Sequence, residues 1–395
     1  MRIASFRTWV VGNPPPHFGG RYFLLVQLET DDGIVGVGEV YVATFGAHTL
    51  ARMVEDVCER HVVGADPFRI EALWRDVYGR GYTGRPDLSL VGVLSGIEIA
   101  CWDVVGKALG RPVYDLLGGR VRERIRGYTY IYPEDGDATD VYVDPELGAK
   151  RAAEYVELGF TAVKFDPAGA YTTLDPHQPS LADLALSEAY VKAVREAVGD
   201  RADILFGTHG QFTTSGAIRL ARRLEQYDPL WFEEPTPPET PEEMARVARA
   251  TTIPIATGER LTTKYEFARV LETGAASILQ MNLGRVGGLL EAKKIAGMAE
   301  ARYAQIAPHL YSGPVLGAAN IQLATCTPNF LVLEGIRDWG GFHAQLLRKP
   351  VTFEDGYVIP STEPGLGVEL DEEVAAAHPY DDDALHLNPR SVSQS

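Results

Sequence analysis

Cysteine is scarce in this chain of 395 residues: Cys58, Cys101 and Cys326 are scattered, with no paired spacing. That excludes a disulfide framework, a multi-thiolate metal site and a redox pair, and it leaves three thiols expected to be reduced and buried. Long apolar runs are also wanting. Gly or a charge interrupts each stretch before the roughly 18 to 20 apolar residues that a membrane span needs, so no membrane is expected as a partner. The start, Met1 to Trp9, has no long apolar core ahead of a small-residue cleavage site, which makes the cytoplasm the default location. Positive charge is short as well, with 37 Lys and Arg against 54 Asp and Glu and a net charge of −17. Nucleic acid is thereby excluded as a partner, because neutralising phosphates takes a basic face. An acidic protein that takes an anionic small molecule needs local positive charge instead, from a metal or a well-placed lysine.

What is there is ordinary globular material, 45% hydrophobic and 23% charged, with room for one large domain and a smaller one. Residues 1–125 mix strands and helices in an α+β pattern. Tyr22 to Thr30 predicts a strand, Asp31-Asp32-Gly33 a hairpin turn and Ile34 to Glu39 the partner strand. Ile97, Cys101, Val105 and Leu109 recur every four residues on a helix expected over Leu94 to Leu109, stopped by Gly110-Arg111-Pro112. Over residues 126–345 the pattern changes to short apolar strands alternating with amphipathic helices. The strands are expected at Gly127 to Ile131, Thr161 to Phe165, Ala202 to Phe206, Leu230 to Phe232, Ile253 to Ala256, Ser277 to Gln280, Ala304 to Ala307 and Leu331 to Leu333. The clearest helices are 145–158, 183–198, 214–227 and 285–302. Alternation at this count is an α/β parallel barrel of the TIM type, whose chemistry sits just past the C-terminal end of each strand. Residues 346–395 are irregular and lead into an acidic tail.

Read in that way, the strand ends form a set. Strand two ends in Lys164-Phe165-Asp166, strand three in Gly207-Thr208-His209, strand four in Glu233-Glu234 and strand five in Glu259-Arg260. Asn282 follows strand six, His309 follows strand seven and Glu334 closes strand eight. Glu233 and Glu259 lie 26 residues apart, and another 26 residues back from Glu233 stands Gly207, where a third carboxylate would be expected. One such residue could be a solvated loop group or a packed core histidine; a ring of Lys, His, carboxylates and Asn around one mouth is hard to assign to packing.

Several segments together resemble the enolase superfamily, in its mandelate racemase branch with the sugar-acid dehydratases. They are Gly36-Val37-Gly38-Glu39, the stretch from Gly96 through Trp102-Asp103 to Gly118-Gly119, Phe232-Glu233-Glu234-Pro235, Gly258-Glu259-Arg260, Arg285-Val286-Gly287-Gly288 and Gly365 to Leu370. The resemblance covers nearly the whole chain. It implies a modified (β/α)7β barrel over 126–345, capped by a domain made of residues 1–125 and completed by 346–395. It also implies Mg2+ as cofactor, a small-molecule carboxylate such as a sugar acid as substrate, and a homo-oligomer.

The chemistry that such a site needs is removal of a proton α to a carboxylate, which demands a cation on the carboxylate oxygens and a base over the carbon. By the resemblance, Glu233 and Glu259 are metal ligands, Lys164 is a base or carboxylate partner, and His309 works from the opposite face. The family's third ligand is an Asp where this chain has Gly207; Asp166 on the neighbouring strand is the expected replacement, with His209 as the other candidate. His209 matches a histidine that acts as an acid in the dehydratases. Asn282 stands where the family often has an Asp behind the strand-seven histidine, and it can hold the ring without adding charge. Glu334 and Asn282 are expected to contact substrate, as is Arg21 in the N-terminal loop; Trp102, Asp103 and Lys107 read as interdomain scaffold. The expected reaction is dehydration of an aldonate or aldarate to its 2-keto-3-deoxy acid. A racemase, a lactone cycloisomerase and a protein that binds sugar acids without turning them over remain the alternatives.

Overall fold

The computed structural model describes residues 1–82, 84–167 and 176–387. Ile3–Gly12 (β1), Tyr22–Thr30 (β2) and Val35–Val40 (β3) form an antiparallel sheet in that order. Its inner face packs on the helix Leu88–Leu109, which the Asp87 carboxylate starts by accepting from Ser89 N and Leu90 N and which Gly110 ends in a left-handed conformation. That cap places the start six residues ahead of the expected Leu94. Contact with β3 is close enough to need glycine: a Cβ on Gly38 would stand 1.9 Å from the Gly96 carbonyl oxygen, and one on Gly36 2.5 Å from that of Ala100.

This helix corrects one reading of the sequence. By length and composition it could cross a membrane, but 78% of its most apolar window is buried inside the protein. Its apolar surface runs all round because β3 covers one side and the barrel the other.

The barrel strands follow as Ile125–Tyr130 (β4), Ala162–Phe165 (β5), Asp203–Gly207 (β6), Trp231–Glu233 (β7), Ile255–Thr257 (β8), Ile278–Leu279 (β9), Gln305–Ile306 (β10) and Leu333–Gly335 (β11). Neighbours from β4 to β10 pair in parallel, Phe330 bridges Ile306, and β11 pairs in parallel with β4, so the ring closes. Gly341–Gln345, a five-residue turn of helix, directly follows β11, which leaves the last unit without a full helix. The expected helices appear as Pro145–Glu157, Leu181–Val198, Thr214–Leu224 and, broken at Gly287, Leu283–Val286 with Gly288–Glu300. Thr352–Glu354 (β12) and Tyr357–Ile359 (β13) form a hairpin antiparallel to β4. The chain then returns to the first sheet, where Tyr380 N donates to the Val10 carbonyl.

Inside the barrel, Tyr128, Ala162, Leu205, Trp231, Ala256, Ile278, Ala307 and Val332 make one buried layer, a residue from each strand unit. Two bulky rings set among alanines fill a tapering interior, and burial of each large side chain contributes ~1.5–3 kcal/mol. Two residues further along each strand, the pleat returns to the same inner face. Lys164, Gly207, Glu233, Gln280, His309 and Glu334 stand there, so the side chains above the core are the polar strand ends.

Two buried carboxylates join the sheet-and-helix unit to the barrel. Glu98 accepts from Leu289 N at 2.8 Å and Leu290 N at 2.9 Å, at the start of Gly288–Glu300. Glu39 accepts from Gly313 N at 2.5 Å and Leu316 N at 2.8 Å, at the start of Pro314–Thr325. Each carboxylate faces unpaired N–H groups and the positive end of a helix. Asp103 does related work, accepting from Val37 N, Leu366 N and Lys107 Nζ, while Trp102 Nε1 donates to Glu98.

Candidate active site

At the C-terminal mouth of the barrel, Lys164 is the hub. Its Nζ lies 2.7 Å from Glu233 Oε1 and 3.5 Å from Glu334 Oε1, with all three side chains buried. Burial alone would discharge this lysine, but Glu233 and Glu334 outweigh it and hold its pKa well above the ordinary value. Glu233 is fixed on its other side by Trp231 Nε1 at 3.1 Å and Gln280 Nε2 at 2.6 Å. Glu334 Oε2 accepts from Leu310 N at 2.8 Å.

Gly207 decides what lies beside this hub. A Cβ there would meet Asp166 Oδ1 at 3.3 Å and Glu233 Oε1 at 3.5 Å. The carboxylate of Asp166 therefore borders the space that a side chain at 207 would enter, next to Glu233. Asp166 is 4% exposed, and its Oδ1 has no hydrogen-bond partner. Its Oδ2 lies 3.8 Å from Nδ1 of His209, a residue held at φ 46° and one-third exposed in its side chain. Burial opposes charge on His209, but Asp166 and Glu259 overcome it and push the ring up to about 10.

On the far side, His309 Nε2 lies 3.3 Å from Glu259 Oε2, an oxygen with no hydrogen bond of its own. His309 is buried and pushed down to about 4 by desolvation, against the pull of Glu259. Glu259 is held well below the usual carboxylate range: desolvation opposes this, and His309, His209 and Lys164 outweigh it. Asn282 Nδ2 stands 2.9 Å from His309 Nδ1.

The mouth opens into a cavity of about 550 Å³ whose walls include Tyr41, His209, Glu259, Arg260, Arg285 and Leu387. Arg285 stacks over the Tyr41 ring at 4.3 Å and donates to the Glu259 carbonyl at 2.9 Å. Arg260 pairs with the buried Glu234 at 2.8 Å, and desolvation pushes that carboxyl up to about 7 in spite of the guanidinium. These cations meet the requirement, set by the chain's acidity, for local positive charge where an anion is to bind.

The structure thus brings Lys164, Asp166, His209, Glu233, Glu259, Asn282, His309 and Glu334 to one mouth. Arg21 precedes the second strand, donates its N–H to the His386 carbonyl and lends its charge to the Tyr380 hydroxyl, and it is not among the residues lining this cavity. Gln280, Arg285, Tyr41 and Trp231 went unassigned in the sequence reading. Gln280 shares the pleat phase of Lys164 and could have been found by it, whereas Tyr41 reaches the mouth only through the packing of the N-terminal sheet.

Three carboxylates are hard oxygen donors of the kind Mg2+ takes, and the partnerless oxygens of Asp166 and Glu259 are what such a cation would satisfy. The fit is one of donor type. As the side chains lie, no three ligand groups among the described residues stand close enough to share an ion, and the Lys164 ammonium and Gln280 occupy the oxygens of Glu233.

A parallel barrel with acidic strand ends, a lysine and opposed histidines at its mouth, under a lid of antiparallel sheet, defines a class, and the comparisons agree with it. Residues 18–118 match the mandelate racemase / muconate lactonizing enzyme N-terminal domain and residues 148–374 the enolase C-terminal domain-like family. The chain belongs to the mandelate racemase / muconate lactonizing enzyme family of the enolase superfamily. It is 35% identical over 384 residues to the D-xylonate dehydratase of Haloferax volcanii, spanning 96% of this chain and 89% of that protein. With the D-galactonate dehydratase of Variovorax paradoxus it shares 38% over 360 residues, 89% of each. Among solved structures, the mandelate racemase/muconate lactonizing enzyme from Sulfitobacter sp. superposes with a TM-score of 0.96 at 54% identity, covering 99% of this chain and 98% of that one. The related protein from Roseovarius sp. TM1035 gives 0.96 at 51%, covering 100% and 99%.

Proposed function

We propose that this hydro-lyase removes water from a sugar acid, an aldonate or an aldarate, to give the 2-keto-3-deoxy acid. Dehydratase relatives at 35% and 38% identity over most of the chain support the reaction type. The observation that carries the reading further is the pair of histidines on opposite sides of the carboxylate row, His209 against Asp166 at 3.8 Å and His309 against Glu259 at 3.3 Å. Elimination takes a proton from the α-carbon and returns one to the departing 3-hydroxyl, so it needs groups on two sides of the substrate.

Asp166, Glu233 and Glu259 would hold Mg2+, with Asp166 standing in for the carboxylate that Gly207 lacks. Bound there, the cation would neutralise the substrate carboxylate and make its α-proton removable. His309, or Lys164 in its neutral form, takes that proton, and His209 or His309 gives one to the 3-hydroxyl, which leaves as water. The resulting enol ketonises to the product. Which part falls to His309 depends on which ring nitrogen carries its proton. Glu334 holds Lys164 in line, and the guanidiniums of Arg285 and Arg260 favour an anionic substrate in the cavity.

The test is a panel of aldonic and aldaric acids incubated with the protein and Mg2+ in deuterated water. The expected outcome is a 2-keto product from at least one acid, with deuterium at its C3. If no acid yields product or exchanges its α-proton, the dehydratase reading fails and binding without turnover takes its place.

A further inference from the structure

The orientation of one amide fixes the hydrogen on one imidazole. Asn282 precedes the short helix Leu283–Val286, and its Oδ1 accepts from Gly284 N at 2.9 Å. A backbone N–H can only be met by an acceptor, so the amide oxygen must lie on that side and the NH2 on the other. The NH2 lies 2.9 Å from His309 Nδ1. Having no lone pair to offer, it makes Nδ1 the acceptor. A neutral imidazole carries one N–H, which then resides on Nε2. At the far end of the ring, Nε2 lies 3.3 Å from Glu259 Oε2 with no hydrogen bond between them, so the Asn282 amide is the contact that fixes the tautomer. An imidazolium would set its Nδ1–H against the NH2 of the Asn282 amide, donor against donor, and the Nδ1–H tautomer would do so as well. Asn320 Nδ2, donating to the His309 carbonyl at 3.1 Å, and the Tyr41 ring at 5.9 Å fix the backbone and plane of the residue.

We propose that Asn282 is a positioning residue that holds His309 as the neutral Nε2–H tautomer, so that His309 stands at the barrel mouth as a hydrogen-bond donor to oxygen and not as a base. An aspartate at 282 would do the reverse. It would accept from Nδ1–H and leave the Nε2 lone pair free to take a proton, the arrangement that a carboxylate imposes on a catalytic histidine generally. A neutral imidazole that gave up its Nε2 proton would become an anion, so in this tautomer His309 does not release a proton either. It donates a hydrogen bond to the substrate oxygen on which negative charge develops, a role open to a neutral ring. Resting on the dehydration reading, this leaves the proton for the departing hydroxyl to His209 and the α-proton to Lys164, which must first give up the proton that Glu233 and Glu334 hold on it.

The tautomer is read directly by long-range proton–nitrogen NMR on protein labelled with 15N in its histidine rings, with His309 assigned by its loss in His309→Gln. The expected pattern for His309 is a pyridine-type Nδ1 and a pyrrole-type Nε2, without substrate or metal. A pyrrole-type Nδ1, or two protonated nitrogens, overturns the proposal whether or not any sugar acid is turned over. Asn282→Asp is expected to move the hydrogen to Nδ1 and to lower kcat for dehydration by ~10²–10⁴-fold, the range lost when a catalytic histidine sits in the wrong tautomer. KM is expected to stay within about threefold, because the ring and its place are kept. A variant that folds with an unshifted ring spectrum also overturns the proposal. If that variant does not fold, the wild-type spectrum alone decides. No turnover by the wild type, with the expected spectrum, counts against the dehydratase reading and leaves the tautomer assignment standing.

Discussion

Glu98 offers a quantitative test of how the two parts of the molecule are joined. The carboxylate is 2% exposed and serves three donors: Leu289 N, Leu290 N and Trp102 Nε1. Burial pushes its pKa from 4.5 up to about 7, with the three donors pulling the other way. A carboxyl raised on folding binds its proton more tightly in the native state than in the unfolded chain. Its contribution is therefore fully present below the unfolded value of 4.5 and is lost as pH rises through about 7. The whole effect is about 3 kcal/mol at about 1.4 kcal/mol per pKa unit, and about 2 kcal/mol of it falls between pH 5.5 and 8.5. Glu98→Gln keeps the shape, does not titrate and turns an amide NH2 toward one donor, a loss of ~1–2 kcal/mol. Guanidinium unfolding of wild type and variant at those two pH values cancels every other titrating group in the difference. The variant is expected to be the less stable protein at pH 5.5, and its deficit to shrink or reverse by about 2 kcal/mol at pH 8.5. A difference that stays constant within about 0.5 kcal/mol would refute the argument that burial governs this carboxyl.

Three further outcomes follow from the same geometry. Asp166→Ala is expected to weaken Mg2+ binding at least ~100-fold by calorimetry, and Gly207→Asp in that background to restore part of it, since a Cβ at 207 clears its neighbours by 3.3 Å or more; unchanged affinity in the single variant would show that Asp166 is no ligand. His209→Gln is expected to lower product formation by ~10²–10⁴-fold while α-proton exchange continues, and loss of both together would remove His209 from the role of acid. Gly38→Ala would drive a methyl to 1.9 Å from the Gly96 carbonyl, so folded protein with an unchanged melting temperature would contradict the packing described.

Much of this was legible in the chain. Strand–helix alternation with its apolar strand cores gave the barrel, and the 26-residue phase of Glu233 and Glu259 picked out the mouth because each strand end repeats the same local pattern. Lys164, His209 and His309 stood out as residues at strand ends, and their expected roles came from the resemblance to the family. The start of the helix at Leu88 was not, because its signal is a single capping carboxylate at Asp87 in front of a run without clear periodicity. Nor was the membrane-like length of that helix, whose apolar residues look alike whether lipid or protein surrounds them.

Sequence by itself determined which residue types line the strand ends and that Gly207 leaves a carboxylate missing there. Pleat and repeat are local, and local periods are written in the order of residues. Only the tertiary structure decided that Asp166 borders the gap at Gly207, that Gln280 and Lys164 take up the oxygens of Glu233, and that Asn282 turns its NH2 to His309. Those contacts join residues 27 to 69 positions apart, as do the 191 positions between Glu98 and Leu289. No local pattern encodes which of two oxygens, or which end of an amide, faces a neighbour brought in by the closing of the barrel.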